Sequence, residues 1–460
     1  MKKFLVMIGV LLVVFCGFIA YDTYFKEEVP VLEIEEEKVN ISELYVYGTH
    51  LNVLGSHNFI NDAELVLYDG EFISYDLNYL EDEVINGDFN DLIDSSNNDV
   101  SVIRSFNFSD YINDGIYLDD IPVGDYYLFL RVKVEDDGED NTDSKKDKDK
   151  EEDSYRYYSL VNESGYDETT YYTMSNYNKR IVISNEDSYP TMMMRVLEND
   201  DKEDVYDIVL DPGHGGMDGG ASKNGYKETD FTMDLSLKIK EKLEGYGFKV
   251  KLTHDEGQLS SNDLLEEYGV HGRAVVSSEV RAKYLFSLHL NSSESSRVNG
   301  LEVYTAKNIN YDFAKLLVNN ITSLSGVGYS TNKINKIDNS IYSRNFTQDD
   351  IDRSLKNYED QDLVAYDIST KSNYYYMIRE TGGIITGAYV DDRNSEILGN
   401  PYTKNNVGTE TYLMELGYLS NQNDLNNMIN NMDKYVEGIA ISIKSLYDDG
   451  NIDGDKATGK

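Results

Sequence analysis

Residues 205–222, VYDIVLDPGHGGMDGGAS, decide how the second half of this 460-residue chain must be read. The apolar run Ile208, Val209, Leu210 has the character of a buried strand. Asp211 and Pro212 end it in a glycine cluster around one histidine, His214. Glycine permits positive φ and lets other groups approach the backbone, while proline fixes its own φ and opens the turn. A histidine on such a turn is displayed at a strand end, where a metal or a substrate can reach it. Taken alone, the stretch is equally an ordinary surface turn.

Downstream, strand and helix alternate. Phe231, Leu235, Ile239 and Leu243 recur on one stripe and predict a helix over 229–244, closed by Gly245 and Gly247. FKVKLTH (248–254) reads as a strand, 271–282 as a helix, YLFSLHLN (284–291) as a strand, TETYLMELGYLSN (409–421) as a strand, and 423–447 as a closing amphipathic helix. This pattern predicts an α/β domain over 205–447 with a mostly parallel sheet flanked by helices. Ligands of such sheets gather at the carboxyl ends of the strands. His214, His289 and Glu415 stand at such ends, and Glu228 lies just before its helix.

Two histidines and a carboxylate form a common ligand set for catalytic zinc, with water in the fourth position. A second glutamate beside that water serves metal-assisted amide hydrolysis. Each residue also has a plainer reading. Glu228 suits a helix N-terminus, where the dipole favours an acid, and His289 suits an ordinary strand. Glu415 is harder to explain structurally, because an unpaired buried carboxylate is costly. The residues alone leave open which glutamate binds a metal and which acts as base.

Composition narrows the choices. The only cysteine is Cys16, so no intrachain disulfide and no thiolate metal cluster can form. The six histidines are His50, His57, His214, His254, His271 and His289. A formal charge of −42 argues against sequence-independent nucleic-acid binding and against general attraction to anionic surfaces.

Residues 1–21, MKKFLVMIGVLLVVFCGFIAY, place two lysines before an apolar run long enough to span a bilayer. They predict an uncleaved single-pass anchor with the remaining chain outside the cell membrane; a cleaved signal and a secreted protein are the alternative. Residues 22–40 read as an acidic tether. Between 41 and 199, short Tyr-, Val- and Ile-rich runs separated by Gly, Asn and Asp predict an all-β, sandwich-like domain. That domain is interrupted by a disordered acidic loop at 135–153 and is a candidate for binding a protein partner or the wall. His50 and His57 fall in it without acidic partners at ligand spacing and read as structural or surface residues. The tail 448–460 reads as disordered.

The motifs IVLDPGHGGMDGGA, KETDFTMDLSLKIKEKLEGYGFKV, LFSLHLNSS, GLEVYT and ETYLMELGYLSN, in this order, resemble the zinc-dependent N-acetylmuramoyl-L-alanine amidases over about 205–447. The resemblance implies one zinc ion held by His214, Glu228 and His289, with Glu415 as the catalytic glutamate. It implies peptidoglycan as substrate, cut between N-acetylmuramic acid and the L-alanine of the stem peptide. The bare glycines would then keep the turn flat and admit a bulky glycan. A non-catalytic wall-binding or scaffold protein, and a zinc peptidase acting on stem peptides, are the rival readings.

Two departures stand out. His254 occupies a position where the family usually has arginine, and it is left out of the ligand set. The interval from His289 to Glu415, about 125 residues, is long for the family. Some relatives cover the zinc with an inserted helix. Phe346, Ile351, Leu355 and Tyr358 form a weak helical stripe here, so part of 325–375 either gates the site or is a merely decorative insertion. Asn291 and Arg379 are candidate substrate contacts, although Arg379 and Glu380 would also serve by pairing with each other.

Overall fold

A computed structural model describes residues 32–47, 50–59, 61–80, 104–109, 115–134, 154–161, 169–172, 179–184, 190–198, 205–216, 218–255, 272–307, 309–360, 368–382 and 408–448. The anchor segment 1–21, the loop 135–153, the tail 449–460 and His271 lie outside the described residues, as does the first part of the tether. Among the described residues no helix is long and apolar enough to cross a membrane.

Twelve strands between Ile34 and Glu198 form one hydrogen-bonded network. The long first strand, Ile34–Tyr47, serves two sets of neighbours. Its first half runs parallel to Tyr155–Val161 and its second antiparallel to His50–His57, with a register shift between Ile41 and Glu43. Alternating apolar residues such as Leu65, Leu67, Leu128 and Leu130 point into a sealed core, as expected for β-branched and apolar runs of period two. Both histidines of this part are buried. His57 Nε2 lies 2.8 Å from the Tyr79 hydroxyl, and its Nδ1 accepts from the Phe59 amide at 3.1 Å. Burial, with the Arg104 charge nearby, lowers its pKa to about 4. His50 packs against the Tyr117 ring at 5.3 Å.

The second part is an α/β unit. We label its sheet strands β1 (Ile208–Pro212), β2 (Val250–Leu252), β3 (Tyr284–Asn291), β4 (Glu302–Tyr304), β5 (Lys336–Asp338), β6 (Ile341–Tyr342) and β7 (Glu410–Tyr418). Its helices are α1 (Glu228–Gly245), α2 (Val276–Glu279), α3 (Asp312–Ser325), α4 (Gln348–Asp360), α5 (Tyr376–Thr381) and α6 (Gln422–Asp448). The sheet order is β2-β1-β3-β7-β4-β6-β5. Strands β2, β1, β3 and β7 run parallel, as do β4 and β6, whereas β4 runs antiparallel to β7 and β5 antiparallel to β6. The sheet is therefore mixed, with its parallel portion beneath the histidine-bearing strand ends.

Leu235, Ile239 and Leu243 of α1 are fully buried beneath one face of the sheet, matching the stripe read from sequence. Helices α3 and α6 cross closely there: a Cβ at Gly438 would lie 2.9 Å from the Ile321 Cα. On the opposite face Val209, Leu285, Val276 and Met377 form a smaller cluster under α2 and α5. The helix expected over 271–282 is only Val276–Glu279 among the described residues, and Arg281 prevents its continuation by turning into the left-handed region at φ 55°.

Part of the segment between 325 and 375 joins the sheet, since the short strands β5 and β6 extend its edge. The expected stripe is not a buried face: within α4 Ile351 is buried but Leu355 is 47% exposed, and Phe346 precedes the helix. The helix start is held by polar contacts, with Asp350 accepting from Arg344 at 2.6 Å and from the Thr347 amide at 3.0 Å.

A buried ion pair fixes the carboxyl ends of the central strands. Asp211, 0% exposed on β1, accepts from Arg273 Nε at 2.9 Å and again from its terminal nitrogen at 2.9 Å. Ser287 of β3 donates to it at 2.6 Å, and Thr253, just past β2, at 2.8 Å. Burial alone would push the Asp211 carboxyl up. The Arg273 charge and the donated hydrogen bonds outweigh it and bring the pKa down to about 2.

Two predictions follow from this packing. Arg273→Met leaves a buried carboxylate unpaired and should cost about 3–5 kcal/mol in chemical denaturation at pH 7. In the parent, the depressed Asp211 pKa contributes stability above its ordinary value of 3.8, lost as pH falls towards about 2. An Arg273→Met midpoint equal to the parent's would contradict the role given to the pair. Gly438→Val should push α3 from α6 at a cost of about 1–3 kcal/mol, read as a lowered thermal midpoint.

Candidate active site

The glycine loop after β1 is shaped by the side chains that it carries. His214 sits at φ 63°, a left-handed conformation that non-glycine residues rarely adopt outside tight turns. A Cβ at Gly213 would stand 2.5 Å from the His289 ring and 2.4 Å from the Leu288 carbonyl. One at Gly220, itself at φ 61°, would stand 2.6 Å from His214 Cδ2 and 2.7 Å from Glu228 Oε2. These two glycines are bare because the imidazoles and the Glu228 carboxylate occupy the space a side chain would need. That is a different reason from the access for a glycan expected above.

Helix α1 brings Glu228 to this loop as its first residue, and Thr232 one turn on donates to the Gly213 carbonyl at 2.8 Å. Glu228 Oε1 lies 3.1 Å from His214 Nε2 and 3.1 Å from His289 Nδ1, and accepts from the Leu290 amide at 2.8 Å. Its Oε2 accepts from the Ala221 amide at 2.9 Å. The two rings stand edge to face, 5.0 Å apart. On the far side of His214, Nδ1 lies 2.8 Å from Asp218 Oδ2, while Asp218 Oδ1 accepts from the Gly220 amide. A carboxylate on the outer nitrogen of a ligating histidine fixes ring orientation and tautomer.

Burial alone would lower the His214 pKa, but the hydrogen bonds to Glu228 and Asp218 raise it to about 9. Burial would raise Glu228, but the two imidazoles hold its carboxyl well below the usual range.

One ligand atom from each of His214, Glu228 and His289 lies within 4.8 Å of the others, so the group can hold a metal ion. The chemistry of the set agrees with that. Two neutral imidazoles would leave the carboxylates around them uncompensated, and a cation between them supplies the balance.

Glu415 projects from β7, where it is the register partner of His289 on β3 and of Glu302 on β4. Its Oε2 is buried and makes no hydrogen bond among the described residues. Burial raises its pKa well above the ordinary carboxylate value, with the Glu228 and Glu302 charges adding and His214 opposing.

Sequence reading had assigned no role to Glu302, Asp218, Asp211 or Arg273. Glu302 is 0% exposed and accepts from Asn291 at 3.1 Å, Ser330 at 2.5 Å, Tyr418 at 2.5 Å and Tyr304. An acid inside the apolar strand text GLEVYT was the available signal. Asn291 thus directs its amide nitrogen to Glu302, while its oxygen accepts from the Ser292 amide. Arg379 is buried, pairs with Glu380 at 2.9 Å, and donates to the Asn373 and Tyr374 carbonyls. Both candidate substrate contacts are therefore engaged within the protein. His254 lies outside the metal group, with Nε2 2.9 Å from the Pro212 carbonyl. It borders a pocket of about 410 Å³ between the glycine loop and α1, floored by Met233 and Leu237.

Comparison with known proteins follows this geometry. The chain is 30% identical over 131 residues to the N-acetylmuramoyl-L-alanine amidase LytC of Bacillus subtilis (strain 168), covering 28% of this chain and 24% of that one. It is 41% identical over 100 residues to the probable cell wall amidase LytH of Staphylococcus aureus, covering 21% of this chain and 30% of that one. The matched stretches thus span less than a third of either relative. Among solved structures, the catalytic domain of CwlV, an N-acetylmuramoyl-L-alanine amidase from Bacillus (Paenibacillus) polymyxa var. colistinus, aligns at 19% identity and a TM-score of 0.34. That alignment covers 53% of this chain and 98% of that domain. The family model described as N-acetylmuramoyl-L-alanine amidase matches residues 208–445, just over half of the chain, and the protein belongs to that family.

Proposed function

We propose that this protein is a zinc-dependent N-acetylmuramoyl-L-alanine amidase that hydrolyses the amide between the lactyl group of N-acetylmuramic acid and the L-alanine of the stem peptide. The observation that carries the proposal is the meeting of the His214, Glu228, His289 group with an uncommitted carboxylate, Glu415, on the adjoining strand. Family membership supports the choice of bond. The apolar segment 1–21 adds the proposal that the catalytic part is held outside the cell membrane.

In this reading His214, Glu228 and His289 hold one zinc ion, which when bound supplies Lewis acidity that polarises the scissile carbonyl and eases removal of a proton from water. Asp218 holds the His214 ring in the orientation that binding needs. Glu415, with no donor on Oε2, is free to take the water proton and deliver it to the departing alanine nitrogen. Its raised pKa suits this double role, because a carboxyl of ordinary acidity is a weak base near neutral pH. A protein that only binds its ligand needs no carboxylate with a buried, undonated oxygen at this place.

The full-length protein should release soluble stem peptides with free L-alanine amino termini from purified peptidoglycan, as read by mass spectrometry. Cuts within the stem would identify a peptidase instead, and binding without release a scaffold. Glu415→Gln should lower the rate by roughly 10²–10⁴-fold while leaving one zinc bound. His289→Ala should lose the zinc, and a chelator should abolish the parent's activity until zinc is restored. The metal must displace a proton that His214 retains up to about pH 9. Zinc affinity should therefore rise between pH 6.5 and 8.5, by up to about tenfold per pH unit for one proton. A pH-independent affinity in calorimetric titration would contradict that linkage.

A further inference from the structure

Strand β7 leaves its regular register directly after Glu415. Up to that residue it keeps step with β3, where His289 stands opposite Glu415, but the next register pair is Asn291 with Tyr418. Leu416 and Gly417 thus face Leu290 alone, two residues against one, which is a β-bulge. A bulge interrupts the ladder, bends its strand and re-aims the side chains beside it, so other contacts must hold it in place. Leu290, across from the extra residue, spends its amide on Glu228 at 2.8 Å.

The contacts that close the bulge meet at Glu302. This residue lies on β4 as the register partner of Glu415 and points to the same face of the sheet. His289, Glu415 and the fully buried Glu302 therefore stand in one row across three strands. Both members of the register pair beyond the bulge donate to Glu302. Tyr418 gives its hydroxyl to Oε1 at 2.5 Å, and Asn291 its side-chain amide to Oε2 at 3.1 Å. Ser330 adds a hydrogen bond to Oε1 at 2.5 Å and Tyr304 one to Oε2. Four donors fill the lone-pair sites of a carboxylate and leave it a single well-satisfied position. The backbone is tied at the same point. Asp424 of α6 accepts from the Tyr418 amide at 2.9 Å and from the amide of Gly300, just before β4, at 2.7 Å.

We propose that Glu302 is a positioning residue: by closing the bulge that follows Glu415, it sets the direction in which that carboxylate meets the His214, Glu228, His289 group. This rests on the amidase reading above, in which Glu415 moves the proton. With its oxygens engaged inside the protein, Glu302 acts on the reaction through Glu415. A misplacement of about 1 Å in a reacting group costs on the order of 10²-fold in rate.

The test uses the full-length, zinc-loaded protein and a soluble N-acetylmuramoyl peptide. Tyr418→Phe keeps the ring and removes only the hydroxyl that closes the bulge; Glu302→Gln, of nearly equal shape, is the second variant. Ser330→Ala, which removes a donor to the same oxygen from outside the bulge, is the control. Tyr418→Phe and Glu302→Gln should each lower kcat by roughly ten- to a hundredfold, with KM and zinc affinity within about twofold of the parent. Ser330→Ala should keep kcat within about threefold. A crystal structure of Tyr418→Phe should show the Glu415 carboxylate displaced by about 1 Å or more, with the three ligand side chains unmoved. Parental kcat in either variant, an equal loss in Ser330→Ala, loss of zinc, or an undisplaced Glu415 would overturn the proposal. A parent that cuts no muramoyl amide rejects the amidase reading instead, and the position of Glu415 in the variant crystal then decides the role of Glu302 by itself.

Discussion

The site depends on one buried carboxylate. Glu228 accepts from the amides of Ala221 and Leu290 and lies within 3.1 Å of both His214 and His289. Four groups from two stretches of chain thereby converge on two oxygens of a third. A buried carboxylate is tolerated only when its lone pairs are met, so the helix start, the glycine loop and the end of β3 are held in a single arrangement. Directly beneath, Asp211 and Arg273 do for the strand ends what Glu228 does for the imidazoles. The glycines at 213 and 220 follow from these contacts, since any larger residue would displace a ring or the carboxylate.

Negative charge is concentrated here, and each carboxylate is treated differently. Asp211 is matched by an arginine. Glu228 is matched by two imidazoles and two amides, a set that becomes a cation site once those imidazoles are neutral. Glu302 is satisfied by the hydroxyls of Ser330, Tyr304 and Tyr418 and the amide of Asn291. Glu415 Oε2, on the neighbouring strand, has no donor among the described residues. A low-dielectric interior magnifies every such difference, so neighbouring acids acquire different proton affinities and different uses.

Much of this was legible in the sequence, for local reasons. The stripe of Leu235, Ile239 and Leu243 announces α1 because the helical period maps directly onto burial. The apolar runs of β1, β3 and β7 do the same for a sheet covered on both faces. His214, His289 and Glu415 were visible because each polar residue interrupts or ends an apolar run, and Glu228 because it opens a helix. The stripe of Phe346, Ile351 and Leu355 misled because it has helical spacing without a partner surface; α4 is held by Asp350 and Thr347 instead. The helix read over 271–282 failed where Arg281 adopts a left-handed conformation, which its residue type does not announce.

What the sequence by itself determined is therefore the set of elements and the residue types offered at their ends, since periodicity, turn chemistry and composition act over a few neighbouring residues. Only the tertiary structure decided the roles. It set Glu228 between two histidines, gave Asp211 to Arg273 62 positions away, filled Glu302 with donors and left Glu415 Oε2 without one among the described residues. It also engaged Asn291 with Glu302 and Arg379 with Glu380. These outcomes depend on distance, desolvation and competition for donors between residues far apart in the chain, and no local pattern encodes them.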